Sequence, residues 1–267
     1  AAQWLEPGQV VTITTNDSGA LATVTRGGVT RQITARLVVH GEGTPQNDPD
    51  VSVSDYGQHA VIAEVRPAAP HGNRAWERFT PDGPLALLPI GDDYSVVFTV
   101  PPEKAECILA LDDAGFLAAL RAQFGTRLDF VRTGPRAAYP LALRVRRHLT
   151  QPRQVWIGNA AQTLHPVSGQ GFNLGLRDAW ELAEALLDGL ERQPDAGHAA
   201  ALAAYARGRQ LDRRGSMAFT DGIVRLFSND LPPLRTARGL GLLALDLVPP
   251  LRHFVAKRMI WGARAWP

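Results

Sequence analysis

The sequence predicts a mixed α/β (α+β) fold. Two observations favour this class: β-rich runs separated by turn residues recur through the first 160 residues, and a strong helical period begins after residue 170. With 267 residues, 45% of them hydrophobic and 20% charged, the chain can bury a sizeable core in one large or two modest domains. We therefore expect sheets in the first part of the chain and packed helices in the last part.

The start of the chain predicts a small antiparallel meander. Its β-rich runs cover residues 10–15, 20–26 and 29–39, and the turn sequences NDSG and RGG separate them. The third run ends in LVVHGEGT, where Gly41 and Gly43 flank Glu42. Glycines at a strand end let the backbone approach a ligand, but an ordinary tight turn accounts for them equally well.

The middle of the chain predicts a sheet with short hairpins, interrupted by a helix. Residues 55–100 contain the runs HAVIAEVRP, RAWERFTP, LALLPI and YSVVFTVP, separated by PHGN, PDG and GDD turns. Residues 103–124 form a helical interval, in which Phe116, Leu117 and Leu120 recur at helical spacing. Residues 134–145 and 154–157 are again strand-like.

The last part of the chain predicts two long helices followed by short ones. The first carries an apolar stripe that includes Leu176, Trp180 and Leu187, opposed by charged residues such as Glu181 and Asp188. A second helix is expected from about residue 196 to residue 227. Beyond it, prolines at 232, 233, 249 and 250 break the chain into shorter helices.

Composition excludes several classes of function. Cys107 is the single cysteine, so neither an internal disulfide nor a Cys/His zinc site is expected. The formal charge of +2, without a basic block, argues against a nucleic-acid partner. Neither a membrane-spanning apolar run nor a signal peptide is recognisable, which predicts a cytoplasmic protein.

The most informative stretch is GNAAQTLHPVSGQGFNLGLRD, residues 158–178, which lies between a strand and a long helix. The first N–H groups of a helix have no partner within it and lie at the positive end of its dipole, so this geometry favours a bound anion or an electron-rich ring. The alternative is a β-to-α crossover whose glycines serve close packing. His165, without a carboxylate or serine partner at a readable spacing, is interpreted as a satisfied loop residue.

This stretch resembles the second flavin-binding motif of the class A FAD-dependent aromatic monooxygenases, which have the para-hydroxybenzoate hydroxylase fold. The usual motif begins G-D-A-A-H and continues through G-Q-G to N, G and D, and the chain departs from it at Asn159 and Gln162. The N-A-A-Q variant is similar to the ubiquinone-biosynthesis branch, most of all to the 2-polyprenyl-6-methoxyphenol hydroxylases. The LVVHGEGT segment, the hairpins of residues 70–90, and the spacing of Tyr205, Arg209 and Asp212 agree with that branch.

The resemblance implies FAD and NAD(P)H as cofactors, and it implies the site residues. Asn159 is expected to contact the ribityl chain and Pro166 to lie along the isoalloxazine ring. The N–H groups of Gly169, Gln170 and Gly171 are expected to stabilise the reduced flavin. The remaining expected cofactor contacts are Glu42, Gly43, Gly158 and Asn173.

The implied reaction is hydroxylation of a polyprenylated methoxyphenol by O₂ through a flavin C4a-hydroperoxide, in ubiquinone biosynthesis. No catalytic acid or base is assigned from the sequence, and no metal is expected. Two other functions stay open: hydroxylation of a soluble aromatic by the same fold, and a non-catalytic quinone- or lipid-binding assembly module. The apolar C-terminal helices could rest on the inner face of a membrane, or simply pack onto the domain.

The family's N-terminal G-x-G-x-x-G unit, which holds the FAD pyrophosphate, has no match in the sequence. We therefore expect a partial FAD-binding domain made of residues 1–44 and 151–267, with residues 45–150 inserted as a mixed β-sheet substrate domain. Such a fragment is expected to be colourless and inactive on its own. An unpaired sheet edge would favour a dimer or packing between chains, and the resemblance allows a complex with other ubiquinone-biosynthesis proteins.

Overall fold

The computed structural model describes residues 8–45, 47–227 and 232–262. The predicted antiparallel meander is present at the start of this range. Its strands are β1 (Gln9–Asn16), β2 (Gly19–Arg26) and β3 (Val29–Ala35). The side chain of Asn16 closes the first turn by accepting hydrogen bonds from the backbone N–H groups of Ser18 and Gly19. Most side chains of the meander are exposed, so it contributes little to the core.

The third predicted run, residues 29–39, is wrong in one respect, because it divides between two sheets. Strand β3 ends at Ala35, which pairs with Ala20 near the start of β2, so the meander offers no further partner. The chain continues as β4 (Val38–His40). Strand β4 pairs in parallel with a strand more than 110 residues later, and this pairing could not be read from local sequence.

The middle of the chain forms a seven-stranded sheet. Its strands are β5 (Val51–Pro67), β6 (Trp76–Phe79), β7 (Pro84–Ile90), β8 (Asp93–Val100), β9 (Phe130–Thr133), β10 (Ala137–Arg146) and β13 (Gln162–Thr163). Their order is β13-β10-β5-β8-β7-β6, with β9 pairing on β5, and the long central strand β5 pairs with both β8 and β10. All the pairings in this sheet are antiparallel.

Two helices cover one face of the large sheet, α1 (Pro102–Ala110) and α2 (Asp113–Phe124). The sequence predicted one helical interval here. The interval is broken because Asp112 is the N-cap of α2, where its side chain accepts a hydrogen bond from the N–H of Gly115 at 2.8 Å. The core between sheet and helices includes Val96, Phe98, Ile108, Phe116 and Leu120.

The second core lies under the helices of the last part of the chain. Short strands β11 (Thr150–Gln151) and β12 (Gln154–Trp156) form a three-stranded sheet with β4. The helices are α3 (Gln170–Arg192), α4 (Ala199–Phe227), α5 (Pro232–Leu247) and α6 (Pro249–Trp261). Trp156, Leu182, Leu202 and Tyr205 are buried together where α3 and α4 pack on this sheet.

The parallel pair β4–β12 joins residues 38–40 to residues 154–156, and the sequence analysis assigned both segments to the partial FAD-binding domain. Strand β13, however, extends the large sheet from residues beyond 151. The division of the chain at residues 44/45 and 150/151 therefore stays a prediction.

Candidate functional site

A cleft of about 950 Å³ lies between the large sheet and the stretch that joins β12 to α3. We call residues 158–171 the glycine loop. One wall of the cleft is the uncovered face of the sheet, including Glu77, Ala86, Leu88, Val97 and Thr99, and the opposite wall is the glycine loop with the first turns of α3. Because side chains alternate along a strand, Leu85, Leu87 and Phe98 face the core while their neighbours face the cleft.

The cleft brings together six of the nine residues that were expected to bind the cofactor. The residues that line it are Gly43, Gly158, Asn159, Pro166, Gly169 and Gly171. The other three, Glu42, Gln170 and Asn173, are not among the lining residues. The carboxylate of Glu42 lies 3.5 Å from Nδ1 of His40 and is 66% exposed, and Gln170 lines a separate, smaller cavity.

The glycines of this region have two different structural roles. Gly158 and Gly175 permit close packing, since a Cβ on Gly175 would lie 3.3 Å from the Cα of Gly158. A Cβ on Gly169 or Gly171 would meet no heavy atom within 4 Å, so these two positions face open space. Close packing and an open ligand surface, which the sequence left as alternatives, are therefore both present at different glycines.

The start of α3 presents unpaired N–H groups near the cleft. Gly169 has a left-handed backbone, with φ of 58°, and it caps the helix without a side chain. Its own N–H donates to the carbonyl of Pro166 at 2.9 Å, so Gly169 is less available than expected. The N–H groups of Gln170 and Gly171 belong to the first turn, which has no intrahelical acceptors for them.

His165 differs from its interpretation as a satisfied loop residue. Its Nδ1 accepts a hydrogen bond from the N–H of Val167 at 3.1 Å, which places the proton on Nε2. That Nε2 is buried and has no hydrogen-bond partner within the described part of the chain. Burial lowers the pKa of His165 to about 4, so the ring is neutral at ordinary pH.

Behind the glycine loop lies a buried polar network centred on Asp178. Its Oδ2 accepts hydrogen bonds from the N–H of Gly158 at 2.9 Å and from Nε2 of Gln162 at 2.7 Å. Its Oδ1 accepts from Nε of Arg209, also at 2.7 Å. The side-chain amide oxygen Oε1 of Gln162 accepts a hydrogen bond from Nε of Arg213 at 2.7 Å, so the side chain of Gln162 joins the carboxylate to a second guanidinium.

The network continues from Arg209 to a second carboxylate. Nη1 of Arg209 lies 2.9 Å from Oδ2 of Asp212, which also accepts from Nε of Arg177 at 2.8 Å. Burial favours the neutral form of Asp212, but Arg177 and Arg209 outweigh it and lower the pKa of Asp212 below its ordinary value. The hydroxyl of Tyr205 donates to the carbonyl of Trp156 at 3.4 Å. Tyr205, Arg209 and Asp212 therefore hold the loop in place from behind instead of lining the cleft.

Sequence reasoning assigned no role to Asp178, Arg213 or Glu77. The sequence did contain a signal for Asp178, because this residue is the last one of the flavin-binding motif. Its hydrogen bond with Gly158, 20 residues earlier, gives the physical reason for that spacing. Glu77 had no such signal, because residues 76–79 read Trp-Glu-Arg-Phe, which does not alternate between apolar and polar residues. Arg213 had none, since an arginine on a long helix is usually solvated.

The arrangement fits the flavin of FAD on grounds of its own chemistry. Gly169 and Gly171 leave a surface with room for a flat ring, and the helix start supplies N–H donors for negative charge. The buried Nε2 of His165 has no acceptor among the described residues. Within residues 8–45, 47–227 and 232–262, no group of three or more His, Cys, Asp or Glu could hold a metal ion.

The sequence matches a family model described as an FAD binding domain over residues 3–214. It is 35% identical over 274 residues to the ubiquinone hydroxylase UbiL of Rhodospirillum rubrum, covering 100% of this chain and 63% of that protein. It is 33% identical to the 3-demethoxyubiquinol 3-hydroxylase of Escherichia coli K12, covering 84% of this chain and 59% of that protein. The chain thus spans about three fifths of the length of these relatives.

Solved structures share the fold at lower sequence identity. The p-nitrophenol 4-monooxygenase PnpA of Pseudomonas putida DLL-E4 superimposes with a TM-score of 0.74 at 17% identity, covering 96% of this chain and 67% of that one. The anhydrotetracycline hydroxylase OxyS of Streptomyces rimosus gives a TM-score of 0.69 at 21% identity, covering 97% of this chain and 52% of that one. The chain therefore belongs to the FAD binding domain family and has the para-hydroxybenzoate hydroxylase fold of the class A FAD-dependent monooxygenases.

Proposed function

We propose that the protein hydroxylates a polyprenylated methoxyphenol in ubiquinone biosynthesis, using FAD, NAD(P)H and O₂. The observation that carries the proposal is a cleft with two unlike walls, the glycine loop with its helix start and the apolar face of the sheet. The names of the relatives at 33–35% identity support the pathway, and the family match supports FAD.

In this proposal the glycine loop holds the flavin ring. The N–H groups of Gln170 and Gly171 stabilise negative charge on the ring, and Pro166 lies along it. Asn159, whose side chain is exposed at the cleft, contacts the ribityl hydroxyls through its amide. When bound, FAD supplies the redox chemistry and the activation of O₂.

The sheet face receives the aromatic substrate. Ala86, Leu88 and Val97 present an apolar surface that suits a phenol ring and the start of a prenyl chain. The same side chains keep water away from the reacting ring, which limits consumption of the reductant without oxygen insertion. Glu42 and Asn173, away from the cleft wall, are proposed to act on cofactor atoms beyond the ring.

The test is an oxygen-insertion assay on the protein at its full natural length. The protein is incubated with FAD, NADPH, ¹⁸O₂ and a short-chain 2-polyprenyl-6-methoxyphenol, and mass spectrometry is expected to find one labelled oxygen atom in the product. A parallel arm with p-nitrophenol tests for a soluble substrate. Labelled product only in that arm, or no labelled product in either arm, contradicts the proposal.

A peripheral membrane contact is proposed for α5 and α6. No single helix of the described residues is long and apolar enough to cross a bilayer, but Arg238–Leu247 and Pro249–Trp261, bent by 101°, pass that test as a pair. Leu240, Leu247 and Trp261 are more than 60% exposed, so the helices do not simply bury their apolar residues against the domain. Flotation with vesicles of anionic phospholipid is the measurement, and protein that stays in the aqueous fraction contradicts the contact.

A further inference from the structure

The described residues that line the cleft include two with an acid or base side chain, Glu77 and His165. Hydroxylation of a phenol is easier when the ring has lost its hydroxyl proton, because the phenolate is richer in electrons. A group that accepts this proton must lie within hydrogen-bond reach of the substrate. The two side chains are therefore the candidates for a general base.

His165 is unsuited to accept a proton. Its Nδ1 is already an acceptor for the N–H of Val167, and its Nε2 carries the ring proton in a site closed to solvent. Burial among apolar neighbours opposes a positive charge on the ring. His165 can donate a hydrogen bond, but it cannot readily take up a proton from the phenol.

Glu77 stands on the opposite wall, on β6, the edge strand that borders the apolar face of β7 and β8. It lies opposite Ala86 on β7, and Ala86 lies opposite Val97 on β8, so the three side chains form one row across the sheet. All three line the cleft. The carboxylate therefore projects from the surface against which an aromatic ring would pack.

The surroundings of Glu77 leave its carboxylate free to act. Within the described part of the chain it takes part in no ion pair or side-chain hydrogen bond. The cleft-facing residues of β7 and β8 are uncharged, α6 contributes only Met259, and His165 is the titratable group across the cleft. Glu77 keeps contact with solvent, but it is partly buried by the cleft. Partial burial disfavours the charged carboxylate and so raises the pKa of Glu77 above the ordinary glutamate value.

Resting on the proposed function, we infer that Glu77 is the general base that accepts the hydroxyl proton of the phenol. The O–H bond of the phenol breaks, the proton passes to a carboxylate oxygen of Glu77, and the bonding electron pair stays on the phenol oxygen. No electrons are exchanged with a cofactor in this step. The product is a phenolate that reacts more readily with an electrophilic oxygen.

A raised pKa suits this role. A phenol is a weak acid, with a pKa near 10 in tyrosine. Proton transfer to an ordinary glutamate is therefore unfavourable, because the pKa of glutamate is lower by several pH units. Raising the pKa of the base narrows that gap, and transfer as the new bond forms removes the need for a free phenolate. Typical general bases contribute rate factors of about 10²–10⁴.

The first arm of the test compares rates in the protein at its full natural length. Glu77→Gln is expected to lower the hydroxylation rate of the methoxyphenol by about 10²–10⁴-fold. The loss should be smaller for a ring-fluorinated phenol, which gives up its proton more easily. Glu106→Gln, the same change on the exposed surface of α1, is the matched control and should keep the wild-type rate.

The second arm measures binding and needs no turnover. Trp76 lines the cleft, so quenching of tryptophan fluorescence reports binding of the phenol and of its methyl ether. Glu77→Gln should weaken phenol binding by about 10- to 100-fold, the value of a hydrogen bond to a charged group, and leave ether binding and FAD affinity unchanged.

Equal weakening for phenol and ether, or no weakening for either, overturns the role of Glu77. Equal rate losses for the methoxyphenol and the fluorinated phenol overturn it as well. If the wild-type protein inserts no oxygen, the proposed function is overturned. The role of Glu77 is then tested by the binding measurements alone.

Discussion

The two walls of the cleft are stabilised by different kinds of interaction. The glycine loop is held from behind by a buried network in which Asp178, Gln162 and Arg209 are each at most 2% exposed. The strand wall is held by the apolar core on its far side, where Val96, Phe98 and Leu120 are almost fully buried. One wall depends on directional contacts between charges, and the other on alternation and close packing.

This difference predicts unequal tolerance to substitution. A buried charge that loses its partner has neither water nor a counter-charge, so a single change disturbs every member of the network. An apolar core loses free energy roughly in proportion to the volume removed, and its neighbours relax partly into the space. We therefore expect a single substitution in the network behind the glycine loop to cause a large loss of stability. A single substitution in the core behind the sheet should cause a smaller loss, in proportion to the volume removed.

The largest effect is expected for Arg209→Met, which leaves Asp178 without its guanidinium partner. Breaking a buried pair costs about 3–5 kcal/mol, so the midpoint of urea unfolding should fall sharply. The loop position of Gly158 depends on Asp178, so FAD affinity should fall as well. If the variant is too unstable to purify, Gln162→Leu removes one side chain of the same network and leaves the ion pair intact.

The matched change on the strand wall is Ile108→Val, in the core beneath the sheet. It should lower the free energy of unfolding by about 0.5–1.5 kcal/mol and leave FAD affinity unchanged. Equal losses for Arg209→Met and Ile108→Val would remove the distinction between the two walls.

An intermediate effect is expected from His165 as the pH changes. Its folded pKa of about 4 lies below the unfolded value of 6.5, so the unfolded chain binds the proton more tightly between these values. The stabilisation is therefore fully present above pH 6.5 and is lost as the pH falls towards 4, by about 3 kcal/mol in total. Urea unfolding across this range should show a flatter pH dependence for His165→Gln.

The control for a lost imidazole is His253→Gln, on the exposed surface of α6. It should retain the wild-type pH dependence between 4 and 6.5. A His165→Gln variant with the wild-type slope would mean that another group carries the pH effect.

The smallest effect on stability, but a selective one on binding, is expected for Gly171→Val. The added side chain enters open space, so the free energy of unfolding should change by less than about 1 kcal/mol. If the flavin ring lies there, FAD affinity of the protein at its full natural length should fall at least about tenfold, measured by quenching of flavin fluorescence. Gly222→Val, also in a helix with open space around it, is the matched control. Unchanged FAD affinity in Gly171→Val would assign that space to something other than the flavin.

Local sequence predicted the parts that local physics decides. The apolar period of residues 176–190 predicted α3, and the runs between turn signals predicted most strands of the large sheet. The break before α2 also had a local signal, the N-cap Asp112, which the helical spacing of Phe116 and Leu120 concealed. The motif residues Gly158, Asn159, Pro166, Gly169 and Gly171 all line the cleft, and their contact with a cofactor stays a prediction.

The sequence by itself determined the fold class, the glycine loop and the family, because turn chemistry, hydrophobic period and a long motif are properties of neighbouring residues. Only the tertiary structure decided the β4–β12 pairing, the network of Asp178 with Arg209 and Arg213, and the place of Glu77 on the wall that faces the loop. In the structure Glu42 is not among the residues that line the cleft, and Nε2 of His165 has no hydrogen-bond partner among the described residues. These outcomes depend on which groups come together from positions tens of residues apart, and the free energy of each contact is set by burial and geometry that no local pattern encodes.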